Sequence, residues 1–288
     1  MGTLVLVATP IGNLGDLGPR AADALATADL VCCEDTRRSG RLLQHAGVTA
    51  KRLKRVDDHT ELAAVDGVLD VLRSGGTVAV VTDAGTPGLS DPGHRLVVAA
   101  IADGHTVSAV PGPAALVMAL VVSGLPCDRF VFEGFLPRSG SARTERIAGV
   151  ATEPRTVVLY EAPHRVARTI ADLAAACGGN RPVALCRELT KLHETVWRGT
   201  LDEAVALLEQ HEPIGEYVVV LGGAPPAGPA TDAEVTAMLG EALAGGASRR
   251  DAAAQVAART GRPRREVYDL ALTLPAPPTG RGPRGGRA

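Results

Sequence analysis

The first 110 residues alternate between short apolar stretches, typical of buried strands, and longer stretches with helical character. We predict strands at residues 4–8, 30–33, 53–56, 77–82 and 106–110. Helices are expected between them, at residues 19–28, 36–45, 61–73 and 92–103. Because alternating strands and helices usually form a parallel sheet with helices on its faces, this pattern predicts an α/β fold.

A second series of the same kind follows residues 111–126, where Pro and Gly flank a predicted helix at 114–123. All three Phe residues of the chain, Phe130, Phe132 and Phe135, fall within six positions and indicate a strand that enters a second core. Further strands are predicted at 156–160, 183–187 and 217–221, with helices at 166–177 and 201–210. Since 288 residues exceed one typical domain, we predict two α/β domains, at 1–112 and 113–223.

The last quarter of the chain differs in composition. Residues 224–231 are rich in Pro and Ala and are predicted to be a linker. Residues 232–274 are predicted to form a small helical appendage, with helices at 232–244, 248–260 and 263–273. Residues 275–288 consist mainly of Pro, Gly and Arg, so we expect a disordered tail.

Charge and composition limit the function classes. The net charge is −2, which gives no global field for a polyanion, and aromatic residues make up only 2%. The five Cys residues show no metal-type spacing and indicate a reducing compartment, so no metal site is expected. The N-terminus lacks the pattern of a signal peptide, and the apolar run 114–125 is too short to cross a bilayer. We therefore expect a soluble cytoplasmic protein with no membrane partner.

Residues 79–94 carry the clearest sign of a ligand site. A buried-type strand ends there in a loop with several Gly and Pro residues and two carboxylates, Asp83 and Asp91. In open α/β sheets, ligands bind beyond the carboxyl ends of the strands, so Asp83 is expected to face a ligand. Asp91 is interpreted as the N-cap of the next helix, with Pro92 at its first position. The loop at 9–16 is a weaker candidate, because it lacks the dinucleotide-binding spacing of glycines.

Seven ordered blocks of sequence carry a more specific signal. The longest is Val-Thr-Asp-Ala-Gly-Thr-Pro-Gly-Leu-Ser-Asp-Pro-Gly at 81–93, and the others lie at 7–16, 33–37, 110–114, 160–165, 187–191 and 215–217. They resemble blocks of the ribosomal RNA small subunit methyltransferase I family, a branch of the tetrapyrrole methylase fold. The resemblance implies two α/β domains with S-adenosylmethionine in the cleft between them. It also implies a homodimer that methylates the 2′-hydroxyl of a cytidine ribose in the decoding region of 16S rRNA, within the 30S subunit.

The resemblance implies a set of cofactor contacts. These are Pro10, Asp83, Ala84, Gly85, Thr86, Ala115 and Tyr160. One departure from the family pattern is Ala114, where many relatives have Ser, so a hydroxyl contact expected there is missing. A sulfonium cation favours nearby carboxylate and carbonyl oxygens, which Asp83 and the strand ends supply.

The acceptor hydroxyl is a weak acid, and a general base near it adds roughly a hundredfold or more to the rate. Candidate catalytic residues are Glu34, Asp35, Glu188 and Lys191, with Glu161 and His193 also considered. The sequence does not choose among them, because any one charged residue also fits a surface ion pair. Methyl transfer of this kind requires no metal.

Basic residues near predicted strand ends are candidates for RNA phosphate contacts, because phosphate neutralisation dominates RNA affinity. The candidates are Arg37, Arg38, Arg41 and Arg165. The three helices of the appendage resemble a helix-turn-helix unit, which would contact nucleic acid or serve as a packing or dimerisation element.

Two alternative functions stay open from the sequence. One is a tetrapyrrole C-methyltransferase on the same fold, whose polycarboxylate acceptor would also suit basic strand ends. The other is a non-catalytic RNA-binding factor for ribosome assembly. Binding of S-adenosylmethionine separates the second alternative from an enzyme.

Overall fold

The computed structural model describes residues 1–226 and 230–275. The chain divides into one compact unit over Met1–Ala224 and a second unit that begins at Pro225. The first unit contains two five-stranded sheets, and the second is helical.

The first sheet contains five strands, all parallel. They are β1 (Thr3–Val7), β2 (Leu30–Cys33), β3 (Leu53–Arg55), β4 (Thr77–Val80) and β5 (Thr106–Val110). Their order is β3-β2-β4-β1-β5, which confirms the predicted parallel sheet. Because β1 lies between β4 and β5, the direction of winding reverses there, and crevices at such reversals are the usual ligand sites of open α/β sheets.

Four helices cover the two faces of this sheet. They are α1 (Pro19–Thr27), α2 (Thr36–His45), α3 (Glu61–Arg73) and α4 (His94–Ala102). On one face, Leu72 of α3 and Leu96 of α4 pack with Leu4 of β1. On the other face, Leu25 of α1 and Leu43 of α2 belong to a separate buried cluster. Strands β2 and β4 are therefore buried on both sides, as expected for apolar parallel strands, whereas the edge strands β3 and β5 are partly exposed.

The start of α4 differs from the prediction. The helix begins at His94 and its N-cap is Gly93, so the expected cap at Asp91 with Pro92 in the first turn is wrong. Gly93 has φ = 130°, a conformation that side chains rarely adopt, and it separates Pro92 from the helix. The cap is supplied by Glu61 of α3, which accepts hydrogen bonds from the Gly93 and Arg95 amides, both at 2.9 Å. The Asp91 carboxylate is thus not used for capping.

The second sheet is mixed. Its strands are β6 (Phe130–Phe135), β7 (Thr156–Glu161), β8 (Pro182–Arg187), β9 (Thr195–Thr200) and β10 (Tyr217–Leu221), in the order β6-β7-β10-β8-β9. Only β6 and β7 run parallel, and the other neighbours are antiparallel. Strand β9 was not predicted. It is a partly exposed edge strand with Arg198 and Gly199 in its sequence, so it lacks the apolar pattern of a buried strand.

Four helices pack on this sheet. They are α5 (Ala115–Ser123), α6 (Gly140–Thr152), α7 (Pro163–Cys177) and α8 (Leu201–Gln210), of which α6 was not predicted. Helices α6, α7 and α8 share one buried cluster, with Ile147, Ile170 and Leu208. Helix α5 contributes Leu116 and Leu120 to a different cluster. The chain therefore leaves the first sheet after β5 and joins the second sheet with α5.

The second unit contains the three predicted helices, α9 (Asp232–Ala244), α10 (Arg249–Thr260) and α11 (Arg264–Thr273). Thr231 and Glu234 form a capping box at the start of α9, and Ser248 caps α10. Leu239, Val256 and other buried side chains form its core. The predicted linker 224–231 lies partly outside the described residues, and the predicted disordered tail lies almost wholly outside them. Across 1–226 and 230–275, no helix combines the length and apolar character needed to span a membrane.

Candidate functional site

Two neighbouring cavities open at the carboxyl ends of β1 and β4. The larger, called the main cavity, has a volume of about 450 Å³. Its walls include the loop after β4, the start of α5, and side chains of the second sheet such as Tyr160 and Val218. The smaller, called the side cavity, has a volume of about 300 Å³ and is bounded by Pro10, Asp83 and the start of α2. The two cavities share Ile11, Ala84 and Glu216 in their walls.

The loop after β4 is held against the end of β1. Gly85 and Thr9 form a two-way backbone bridge, with N···O distances of 2.9 and 3.1 Å. The buried Thr9 hydroxyl also donates to the Thr82 carbonyl at 3.3 Å. Gly85 has φ = 83°, so this position requires a residue that tolerates the left-handed region. The loop therefore presents backbone groups to the main cavity in a fixed position.

Tyr160 links the second sheet to the start of α5. Its hydroxyl accepts a hydrogen bond from the Leu116 amide at 3.1 Å, one of the amides that a helix start leaves without an intrahelical partner. Its ring packs edge-on against Phe132 and Phe135, with centroid distances of 4.9 and 5.7 Å. Burial raises the pKa of the Tyr160 hydroxyl, so it is neutral at physiological pH.

The residues predicted to contact the cofactor divide between the cavities. Five of them line the main cavity: Ala84, Gly85, Thr86, Ala115 and Tyr160. Pro10 and Asp83 line the side cavity instead, which Ala84 also touches. The Asp83 carboxylate accepts a hydrogen bond from the Asp35 amide at 3.1 Å and lies 3.4 Å from the Arg38 guanidinium.

Glu34 and Asp35, predicted as catalytic, lie after β2 but do not line either cavity. Glu34 is half-buried, and its carboxylate is 3.5 Å from the Asp83 amide. Burial, together with the nearby Asp83 charge, raises the pKa of Glu34. Asp35 is the N-cap of α2 and accepts from the Arg37 side chain and amide, which lowers its pKa to about 2. Asp35 is therefore a structural cap, and its low pKa makes it a weak base.

Glu188 and Lys191, the other predicted catalytic pair, belong to an ion-pair network beside the side cavity. Lys191 lines that cavity and donates to Glu188 at 2.7 Å and to Glu216 at 2.8 Å. The Glu188 carboxylate also accepts from the Glu216 amide at 2.9 Å. Although burial opposes the shift, these hydrogen bonds lower the pKa of Glu188. The network ties the loop after β8 to the start of β10.

The four predicted RNA-binding arginines have different surroundings. Arg38 and Arg41 line the side cavity. Arg37 is exposed and pairs with Asp35. Arg165 is mostly buried, lies 3.2 Å from the Glu161 carboxylate and donates to a backbone carbonyl at 2.6 Å. It also borders a third cavity of about 350 Å³, whose walls carry further basic side chains, Arg138, Arg143 and Arg168.

Asp91 is a cavity residue that sequence reasoning assigned to a helix cap. It lines the main cavity and is half-buried. Burial, followed by the charges of Glu34, Asp58 and Asp83, raises the pKa of Asp91 to about 7. The sequence contains one signal for this position, the glycine at 93, which interrupts a helix start at Pro92.

Comparison with known proteins identifies the family. Residues 3–205 match the family described as Tetrapyrrole (Corrin/Porphyrin) Methylases, and residues 229–275 match the RsmI C-terminal HTH domain. The ribosomal RNA small subunit methyltransferase I of Synechocystis sp. is 45% identical over 96% of this chain and 99% of its own. The protein of that name from Mycobacterium tuberculosis (strain CDC 1551 / Oshkosh) is 46% identical over 94% of this chain and 95% of its own. The chain belongs to the ribosomal RNA small subunit methyltransferase I family.

Family membership confirms the resemblance drawn from the seven sequence blocks. Solved structures agree on the fold. The methyltransferase CobJ superposes with a TM-score of 0.60 at 21% identity, covering 80% of this chain and 98% of its own. The Thermus thermophilus uroporphyrin-III C-methyl transferase complexed with S-adenyl homocysteine gives a TM-score of 0.54 at 19% identity. The superposition covers 77% of this chain and 97% of that structure's chain. The predicted fold, tetrapyrrole methylase type with added C-terminal helices, is therefore confirmed.

Proposed function

We propose that the chain transfers a methyl group from S-adenosylmethionine to the 2′-hydroxyl of a cytidine ribose in the decoding region of 16S rRNA. The relatives in this family are named as methyltransferases of small-subunit ribosomal RNA, and we infer the same activity for this chain. The observation that supports a cofactor site is the main cavity, which lies where the winding of the first sheet reverses. The nucleoside, atom and region specificity rest on the sequence resemblance.

The main cavity fits S-adenosylmethionine in size and chemistry. A volume of about 450 Å³ lies in the usual range of small-molecule sites. Its walls carry apolar side chains such as Ile11, Leu189 and Val218, which suit an adenine ring, and the carboxylate of Glu216, which suits a cationic group. The backbone at 84–86, Ala115 and Tyr160 would hold the cofactor. When bound, S-adenosylmethionine supplies an electrophilic methyl group.

The side cavity suits the RNA. It shares walls with the main cavity and carries the side chains of Arg38, Arg41 and Lys191. Arg38 is 67% exposed, so its guanidinium is accessible to a phosphate group. Binding both reactants in adjoining cavities aligns the hydroxyl with the methyl group, an effect worth up to about 7–11 kcal/mol of the barrier.

The remaining partners follow from the same proposal. The substrate is 16S rRNA assembled in the 30S subunit, and the enzyme acts in the cytoplasm. The match of 229–275 to an HTH domain supports a nucleic-acid contact by the second unit. A homodimer is supported by exposed apolar side chains on α5, namely Val117, Met118, Val121 and Val122, which a second copy would cover.

The test is methyl transfer from labelled S-adenosylmethionine to 30S subunits that lack the modification, compared with naked 16S rRNA. Nuclease digestion and mass spectrometry then identify the modified nucleoside. We expect 2′-O-methylcytidine from a decoding-region fragment, with 30S as the better substrate. A methyl group on a base, or transfer to uroporphyrinogen III in place of RNA, would contradict the proposal.

A further inference from the structure

Four carboxylates line the two cavities, and three of them have basic partners. Glu161 lies 3.2 Å from Arg165, and Asp83 and Glu216 lie 3.4 and 2.8 Å from Arg38 and Lys191. Asp91 is the exception, because no Arg, Lys or His in residues 1–226 and 230–275 lies within ion-pair distance of it. The Asp91 carboxylate is therefore free to receive a proton from a ligand.

Asp91 lies in the wall of the main cavity next to a residue with an unfavourable backbone conformation. Ser90, just before it, has φ = 62°, which non-glycine residues rarely adopt. Strained backbone of this kind persists where surrounding contacts hold it, and it clusters at functional sites. Here the Gly88 amide donates to the Pro92 carbonyl at 3.1 Å across the loop. Gly134, at a β-bulge in β6, leaves room for the Ser90 hydroxyl, which lies 3.1 Å from where a Cβ would be.

The capping arrangement of α4 removes the structural explanation for Asp91. An acid before a Pro at a helix start normally serves the backbone amides of the first turn. In this protein Glu61 accepts those hydrogen bonds, and Asp91 lies on the cavity side of the loop. A half-buried carboxylate with neither a cap nor a basic partner costs stability, which a catalytic role would explain.

We propose that Asp91 is the general base that accepts the proton of the acceptor hydroxyl during methyl transfer. This assignment rests on the proposed function. The O–H bond breaks and its proton moves to the Asp91 carboxylate, while the oxygen electron pair forms the new O–C bond. The methyl–sulfur bond breaks with its electrons left on sulfur, which gives S-adenosylhomocysteine. No other reactant is needed.

The surroundings of Asp91 suit a base that works near neutral pH. Burial and the charges of Glu34, Asp58 and Asp83 bring its pKa to about 7, against a hydrogen bond from Thr82 that favours the charged form. Tyr160, on the facing sheet, is neutral in this range. A base whose pKa lies close to the working pH combines a useful deprotonated fraction with a strong pull on the proton.

The test compares Asp91→Asn with Asp58→Asn, a matched change to an exposed member of the same carboxylate group. Single-turnover methyl transfer to 30S subunits is measured from pH 5.5 to 9 at saturating S-adenosylmethionine. Calorimetry gives the cofactor affinity of each variant, and circular dichroism checks folding. We expect Asp91→Asn to lower the rate at least about a hundredfold, with cofactor affinity changed less than threefold.

The pH profiles make the test specific. We expect the wild-type rate to fall as the pH drops through about 7, and we expect Asp91→Asn to abolish this pH dependence. Asp58→Asn should keep the full rate at high pH. The fall in rate should occur at a lower pH, because the variant lacks a charge that raises the pKa of Asp91. An Asp91→Asn enzyme that keeps its rate, or loses cofactor affinity in proportion, overturns the assignment. A wild type that methylates no rRNA overturns the proposed function, and the assignment with it.

Discussion

Two aspartates of one loop have different surroundings, although both follow the same strand. Asp83 accepts a backbone amide, lies close to Arg38 and borders the side cavity. Asp91 borders the main cavity without a basic partner among the described residues. The sequence favoured Asp83 as the ligand contact and assigned Asp91 to a helix cap. The cap assignment of Asp91 is wrong because Glu61, which is distant in sequence, caps α4.

We expect Asp91→Asn to stabilise the protein at high pH. The pKa of Asp91 is raised on folding, so the folded state holds its proton more tightly and wild-type stability declines as pH rises from about 4 through about 7. Asn removes that penalty. At pH 8 the variant should gain about 1 kcal/mol, or roughly 2–4 °C in Tm. Thermal unfolding without cofactor at several pH values measures this, and a gain that does not shrink towards pH 4 would contradict the shift.

Gly85→Ala should weaken cofactor binding. Its φ of 83° makes a side chain cost roughly 1–2 kcal/mol, and the new methyl would lie 3.5 Å from Ile11, in the cavity wall. Gly104→Ala is the matched control, because Gly104 has φ = 77° and no neighbour within 4 Å of the added atom. Both variants should lose similar stability in urea unfolding. Only Gly85→Ala should lose affinity for S-adenosylmethionine, by about tenfold, in calorimetry.

At the scale of elements, strand and helix positions were largely predictable. The five strands of the first sheet match their predicted bounds to within two residues, because most of them are short apolar runs. Strand β3, Leu-Lys-Arg, is the exception. Helix α6 and strand β9 were missed, since β9 is a half-exposed edge strand that gains its conformation by pairing with β8. Pairing across the second sheet also makes it mostly antiparallel, which the alternating pattern did not indicate.

We expect Glu61→Ala to destabilise the first unit, Met1–Ala224. The Glu61 side chain is only 6% exposed, and its loss leaves two amides at the start of α4 without their acceptor. The cost should be about 1–3 kcal/mol in urea unfolding. Cofactor affinity should also fall, because Gly93 ends the loop that carries Ala84, Gly85 and Thr86. Asp70→Ala, on the exposed face of α3 with 75% side-chain exposure, is the control and should change stability by less than about 0.5 kcal/mol. Equal losses for the two variants would rule out the capping role.

At the scale of the whole molecule, both cavities belong to the unit Met1–Ala224. The proposed boundary near residue 112 falls between β5 and α5, where the chain passes from one sheet to the other. The residues named in the walls of both cavities all precede Ala224, and the described part of the second unit has its own buried core. Under the proposed function, chemistry and additional RNA contact therefore fall in separate parts of the chain.

Removal of the residues after Ala224 should therefore leave cofactor binding intact. We expect the affinity for S-adenosylmethionine to stay within threefold of the full-length value, since every cavity residue is kept. Methyl transfer to 30S subunits should show a higher KM if the second unit contacts RNA, and this KM should depend less steeply on salt because fewer phosphates are contacted. An unchanged KM would indicate that these helices serve another purpose.

The sequence by itself determined the α/β architecture, the family and five residues of the main cavity wall, because these depend on local apolar patterns and contiguous blocks. Only the tertiary structure separated the two cavities and showed which carboxylates already have partners. Ion pairs and caps join residues far apart in the chain, as Glu61 does with Gly93 and Asp83 does with Arg38. The availability of Asp91 depends on such contacts, because a carboxylate is free only when no neighbour in space requires it.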